Sequence, residues 1–280
     1  MVIPLLIAFS EWNFFMGNFS PDISYRDRIL ILKVCAMRVY YYTHRGKVRH
    51  NNEDGLFLKG ESLCEVNLER VESMETEPEG LFCVLDGLGG HSGGEVAVKL
   101  VLETLKELKP CNTEELFQCL FRARENLEAH VRENPELYGF GCTIAGVCLK
   151  GENLHVFNVG DCRVYRIVDS KAIRLSKDHS LVEELVAEGV ITREEAHHHP
   201  QRHIVTSAVI GDNYQTELRI YATTLELLAG DRILICSDGF WEEAQELWKI
   251  AQDPQGYVDM LFTERPLKDN LSFIMLELEA

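Results

Sequence analysis

From Met37 onward, short apolar runs alternate with two longer stretches of helical periodicity. Met37 leads a run, Arg38 to Thr43, that reads as a first strand, and Leu56-Phe57 centres a second. Phe82 to Leu85 is a buried strand by its length and its flanks. It closes on Asp86, and glycines follow at 87, 89, 90 and 93. The strand thus delivers a carboxylate into a turn whose backbone approaches its neighbours closely. Residues 93–108 and 113–132 carry helix-length periodicity, separated by Pro110 and Asn112-Thr113, with Thr113 expected as the N-cap.

Strands then come in succession over 143–149, 154–159, 163–168 and 172–175. Residues 150–153 and 169–171 join them as hairpin-like links, which favour antiparallel pairing. Residues 178–213 are polar and rich in histidine, and they read as a flap outside the core. Strands resume at 218–223 and 232–236, helices follow over 241–250 and 255–262, and a strand over 271–278 closes the chain. Many antiparallel strands with a pair of long helices predict layered sheets covered by helices in one domain, residues 37–280. Residues 1–36 differ from the rest and read as an N-terminal extension. Val2 to Phe9 is apolar, but no basic segment precedes it and no small-residue cleavage site follows, so a secretory signal is not expected. A strand or helix packed on the domain is the alternative for this extension.

The formal charge of −17 sharpens this picture. Nucleic acid and anionic membranes both require a basic face, so neither is expected as a partner. No apolar stretch approaches the roughly 20 residues that span a bilayer. The nine cysteines form no Cys-x-x-Cys pair, and several lie inside apolar runs. They read as reduced, buried cysteines of a cytoplasmic protein.

The arrangement of strand followed by Asp-Gly occurs a second time, in Ile233 to Cys236 followed by Ser237-Asp238-Gly239. Asp269-Asn270 stands just before the last strand, and Glu53-Asp54 just before the strand at Leu56. Each aspartate alone is an ordinary turn residue. Together, four carboxylate positions at strand ends would form an all-oxygen site at one end of the sheets. Oxygen donors favour Mg²⁺ or Mn²⁺ over Zn²⁺. Like charges this close need a cation to stay ionised, and two ions can activate a water and stabilise charge on a phosphoryl oxygen.

The chain resembles the metal-dependent protein phosphatases of the PP2C (PPM) family in their bacterial form. The resemblance runs from about Met37 to Leu278, with the motifs in the family's order. Arg49-His50-Asn51-Asn52-Glu53-Asp54 resembles the Arg-x-x-Asn-Glu-Asp motif. Asp86-Gly87-Leu88-Gly89-Gly90-His91 with Gly94-Glu95 resembles Asp-Gly-Met-Gly-Gly-His. Gly141-Cys142-Thr143 and Asn158-Val159-Gly160-Asp161-Cys162-Arg163 stand where the family has Gly-Thr-Thr and Asn-x-Gly-Asp-Ser-Arg. Asp178-His179-Ser180 and His199-Pro200 mark the flap, and Ser237-Asp238-Gly239 and Asp269-Asn270 complete the set.

The resemblance implies an α+β fold, a four-layer α-β-β-α sandwich of two antiparallel sheets flanked by helix pairs, with the flap inserted at about 178–213. It implies two bound ions, Mg²⁺ or Mn²⁺, held by Asp54, Asp86, the Gly87 carbonyl, Asp238 and Asp269, with Asp86 as the bridge. Asp161 is the candidate for a third ion. Arg49 would hold the substrate phosphate with its planar fork, where an ion pair with Glu53 four residues on is the plainer reading. Glu53 would position water beside the ions. Leu88 stands where animal members carry a histidine thought to protonate the leaving oxygen, so His91 is a candidate acid, with a structural hydrogen bond as the alternative. Cys142 and Cys162 replace Thr and Ser and predict altered packing only. The segment from Trp241 to Asp269 is short for the family. The run His197-His198-His199 reads as flap surface, because consecutive helical residues point in different directions.

The expected activity is hydrolysis of phosphoserine and phosphothreonine in proteins by a metal-activated water attacking phosphorus in line. No cysteine lies in a loop suited to a thiolate phosphatase. The partners expected are phosphoprotein substrates and a cognate Hanks-type Ser/Thr kinase, and the chain is expected to be a monomer. The alternatives are a pseudophosphatase that binds a phosphoprotein without hydrolysis, and a metal-dependent phosphodiesterase or nuclease. The acidic charge and the lack of a basic groove disfavour the latter.

Overall fold

A computed structural model describes residues 36–89, 93–108 and 112–279. The N-terminal extension expected over 1–36 therefore lies outside the described residues, apart from Ala36, which starts the first strand. Thirteen strands and six α-helices are described. Sheet one contains β1 (Ala36–His44), β4 (Glu72–Thr76), β8 (Arg163–Val168), β9 (Lys171–Arg174), β12 (Arg232–Cys236) and β13 (Leu271–Glu279), in the order β4-β1-β13-β12-β8-β9. Sheet two contains β2 (Gly55–Leu58), β3 (Glu61–Cys64), β5 (Gly80–Leu88), β6 (Gly141–Lys150), β7 (Asn153–Val159) and β11 (Tyr221–Glu226). Its order is β11-β7-β6-β5-β2-β3, and β10 (Val209–Ile210) pairs with β6. Every strand pairing is antiparallel.

The central strands carry near-continuous apolar runs because both of their faces are buried. On β5, Leu81, Cys83 and Leu85 join the core under α1 (Gly93–Leu105) and α2 (Thr113–Glu133), while Phe82 and Val84 enter the core between the sheets. On β13, Ile274, Leu276 and Leu278 face that inner core, and Leu271, Phe273 and Met275 face α5 (Asp238–Glu243) and α6 (Pro254–Glu264). Three cores separate four layers, helix–sheet–sheet–helix, as expected.

Several local expectations shift. Asn112, not Thr113, caps α2, its side chain accepting the Glu115 N–H at 2.8 Å. The helix expected over 241–250 is broken. α5 ends at Glu243, and a 3₁₀ turn runs over Leu247–Ala251 after Glu246, whose φ of 50° is left-handed. β11 begins three residues later than the predicted strand. β3, β4 and β10 were not legible, since they are short and largely polar or partly exposed. Cys148 is disulfide-bonded, which corrects the all-reduced reading at that position, while Cys64, Cys83, Cys119, Cys142, Cys162 and Cys236 are free. Among the described residues no helix is long and apolar enough to cross a membrane.

The flap carries α3 (Leu181–Ala187), capped by Ser180, and α4 (Arg193–His198), opened by a Thr192–Glu195 capping box. Its return is stapled to α2. Buried Glu128 accepts from the backbone N–H groups of Asp212, Asn213 and Tyr214 at 3.1, 3.0 and 3.0 Å. Asn213 and Tyr214 both hold left-handed φ angles, 57° and 60°, so the carboxylate fixes a turn these side chains rarely adopt.

Candidate metal centre

Antiparallel register brings distant carboxylates to one end of the two sheets. Cys236 at the end of β12 pairs with Phe273 near the start of β13, which places Asp238 and Asp269 side by side. Gly55 at the start of β2 pairs with Leu85, which places Asp54 beside Asp86. Asp161 lies in the turn from β7 to β8. The elements that carry these residues are held by small polar contacts. Ser237 Oγ donates to Asp54 Oδ2 at 2.9 Å and accepts the Ser272 N–H at 3.0 Å. Asn270 Oδ1 accepts the Glu53 N–H at 2.8 Å, and its amide donates to Asn51 O at 2.9 Å. Asn270 thus ties the Arg49–Asp54 loop to the start of β13.

Two glycines let the backbone close here. A Cβ at Gly87 would lie 2.7 Å from the Gly94 carbonyl carbon and 2.8 Å from Glu53 O, with backbone on both sides. A Cβ at Gly239 would run into the Asn270 carbonyl. A side chain at either position would push apart the elements that carry the carboxylates.

Electrostatics show how strained the cluster is. Asp54 is 1% exposed, and its Oδ1 has no hydrogen-bond partner. Burial, then the charges of Asp238 and Asp269, push its carboxyl from 3.8 up to about 7. Burial and the charge of Asp238 push Asp86 well above the ordinary range, as expected of like charges held close together. Asp161 is raised by burial and by Asp238, and Asp238 itself is raised by burial. Glu53 is raised by burial and by Glu95.

The residues fit a hard divalent cation. An orphaned buried carboxylate oxygen and crowded like charges are what a cation would satisfy, and the donors are all oxygen. The carboxylates are neighbours, not a closed cage: among the described residues no group of three or more His, Cys, Asp or Glu is arranged to hold an ion. Arg49 reaches the cluster but does not pair with Glu53 as the plainer reading had it. Its guanidinium donates to Asp269 Oδ2 at 2.6 Å, and this bond raises its pKa. His91 lies outside the described residues. The structure therefore brings together Arg49, Glu53, Asp54, Asp86, Gly87, Asp161, Asp238 and Asp269.

Sequence reasoning missed the supporting residues. Asn270 and Ser237 were visible only as motif neighbours. Arg163 and Asp178 were visible only as motif members, and nothing showed that they meet Trp241. Arg163 binds Asp178 at 2.6 Å and lies 3.3 Å from the Trp241 ring centre, while the Trp241 indole N–H donates to Asp161 O at 3.0 Å. This group holds the Asp161 turn against α5.

A family model described as protein phosphatase 2C matches residues 40–185. The chain is 34% identical over 238 residues to the serine/threonine protein phosphatase PstP of Mycobacterium tuberculosis, covering 80% of this chain and 42% of that protein. It thus spans less than half the length of that relative. The crystal structure of the M. tuberculosis serine/threonine phosphatase PstP/Ppp superimposes with a TM-score of 0.73 at 29% identity, covering 88% of this chain and 100% of that one. The PstP catalytic domain in complex with two manganese ions gives a TM-score of 0.69 at 27% identity, with 88% and 100% covered.

Proposed function

The chain belongs to the protein phosphatase 2C family, and we propose that it hydrolyses phosphoserine and phosphothreonine in proteins with the help of two divalent cations. One observation carries this reading. Five aspartates from separate parts of the chain gather at one end of the sandwich, with an unsatisfied buried oxygen among them and pKa values raised by burial and by one another. The similarity to PstP, solved with two manganese ions, supports the same charge arrangement.

Asp54, Asp86, the Gly87 carbonyl, Asp238 and Asp269 would hold two ions, Mg²⁺ or Mn²⁺, and Asp161 a third. Bound ions would supply an activated water and neutralise charge on the phosphoryl oxygens. The chain's own residues supply the rest. Arg49 presents a planar fork at the mouth of the cluster and orients the phosphate by paired hydrogen bonds. Glu53, whose pKa is raised by burial and by Glu95 and which lies near Asp269, would position a water beside the aspartates. Ser237 and Asn270 position Asp54 and the Arg49 loop. The leaving oxygen takes its proton from water or from a nearby acid, for which His91 is the candidate.

The substrates are phosphoproteins, and the opposing partner is a Hanks-type Ser/Thr kinase in the cytoplasm. A pseudophosphatase is disfavoured because no aspartate of the set is missing. The test is phosphate release from a phosphothreonine peptide with Mn²⁺, with EDTA, and with Asp238→Ala in Mn²⁺. Release only by the unaltered chain in Mn²⁺ is expected, and equal release in all three would sink the metal-hydrolase reading. Binding of the phosphoprotein without release in Mn²⁺ would favour the pseudophosphatase.

A further inference from the structure

Beside the carboxylates the fold leaves a cavity of about 800 Å³, within the size range of ligand sites. Asp161 lines it, so it opens next to the proposed reaction centre. The stacked Arg163 and Trp241 contribute lining on the core side, and the flap contributes Arg193, His197, His198 and Arg202. Two of the three consecutive histidines thus line this cavity. His199 does not, and its Nδ1 accepts the Gln201 N–H at 3.2 Å.

The arginines are unevenly paired. Asp178 takes both Arg163 and Arg174, at 2.6 and 3.2 Å. Glu183 takes both Arg174 and Arg193, at 3.0 and 3.3 Å. Three guanidiniums therefore share two carboxylates. Arg202 is 4.0 Å from Glu242, at the outer limit of an ion pair. Four arginines and four carboxylates, Asp161, Asp178, Glu183 and Glu242, thus line the cavity, and Arg193 and Arg202 are the two arginines whose pairing is weakest. This concentrates guanidiniums in one place on a chain of net charge −17. The side chains of Arg193 and Arg202 are 69% and 42% exposed, so their donors remain open to a ligand.

We propose that this cavity is a specificity subsite that reads an anionic side chain, a carboxylate or a second phosphate, next to the phosphoresidue being hydrolysed, with Arg193 and Arg202 as its anion-binding residues. The inference rests on the phosphatase reading above. An extended peptide advances about 3.3–3.6 Å per residue, so a neighbour one or two positions along can enter a cavity that shares a wall with the centre. Guanidinium forks suit carboxylate and phosphate alike.

The experiment uses the full chain with Mn²⁺ and three phosphothreonine peptides, one with neutral flanks, one with acidic flanks and one with a second phosphothreonine. A small aryl phosphate, which is too short to reach the cavity, reports the chemistry alone. The unaltered chain is expected to favour at least one anionic peptide over the neutral one by about 5-fold or more in kcat/KM, the range of two partly exposed charge pairs. Which anionic peptide wins identifies the group read. Arg193→Ala/Arg202→Ala is expected to erase that preference through KM while leaving the aryl phosphate and the neutral peptide unchanged. Arg193→Lys/Arg202→Lys is expected to restore part of it. Turnover of all three peptides within about 2-fold, or a preference that survives the double alanine variant, overturns the subsite but leaves the phosphatase reading standing. No hydrolysis of the aryl phosphate by the unaltered chain overturns both.

Discussion

Asp54→Asn separates the demands of the metal centre from those of the fold. Asp54 is buried, and its carboxyl titrates at about 7 in the folded protein against 3.8 ordinarily. A folded-state pKa raised above the unfolded value makes the folded state bind more protons. The metal-free protein therefore keeps this contribution at low pH and loses it as pH rises through about 4 to 7. Roughly three pH units at about 1.36 kcal/mol each give a ceiling of about 4 kcal/mol by pH 8. Of that, about 2–3 kcal/mol falls between pH 5 and pH 8. His179 acts in the opposite sense: burial lowers its pKa from 6.5 to about 4, so it costs stability as pH falls. That effect is common to both proteins and cancels in their difference.

The substitution keeps the acceptor for Ser237 and removes the charge. In EDTA, thermal unfolding followed by circular dichroism should show Asp54→Asn gaining on the unaltered chain as pH rises from 5 to 8. For a domain of this size the gain corresponds to roughly 5–10 °C in Tm. Saturating Mn²⁺ should raise the Tm of the unaltered chain at pH 8 and leave the variant nearly unmoved, because a cation replaces the missing protons only where the carboxylate remains. Parallel pH curves for the two proteins in EDTA would refute the assignment of this strain to Asp54.

Two further predictions follow from single contacts. Arg49→Ala should lower kcat/KM for a phosphopeptide by about 10- to 100-fold, the worth of hydrogen bonds to a charged group. It should also tighten Mn²⁺ binding by up to about 5-fold in calorimetry, because the exposed pair with Asp269 competes with the ion and is worth at most about 1 kcal/mol. Unchanged or weaker Mn²⁺ affinity would show that Arg49 and the ion do not compete for Asp269. Glu128→Ala strands three backbone N–H groups, while Arg124 keeps its pair with Asp212 at 3.3 Å, so urea unfolding should show a loss of about 3–5 kcal/mol. A loss under about 1 kcal/mol would mean that the turn at Asp212 to Tyr214 does not depend on this carboxylate.

Patterns that repeat within a few residues were legible in the chain. The long apolar runs of β5, β6, β12 and β13 reported strands buried on both faces, because either face of such a strand meets a core. The Asp-Gly pairs after two of those runs reported where carboxylates would stand. The edge strands β3 and β4 and the break after α5 were hidden. Half-exposed edges need few apolar residues, and the left-handed Glu246 carries no glycine to announce it.

The sequence by itself thus determined the long buried strands, the two long helices and the set of aspartates, since each depends on side-chain type and local period. Only the tertiary structure decided how those aspartates meet. Antiparallel register set Asp54 beside Asp86 and Asp238 beside Asp269, and burial left one oxygen without a partner. It alone turned Arg49 toward Asp269 and brought two flap histidines and two loosely paired arginines to one cavity. Charge interaction falls with distance and strengthens with burial. Neither quantity is fixed until the chain has folded.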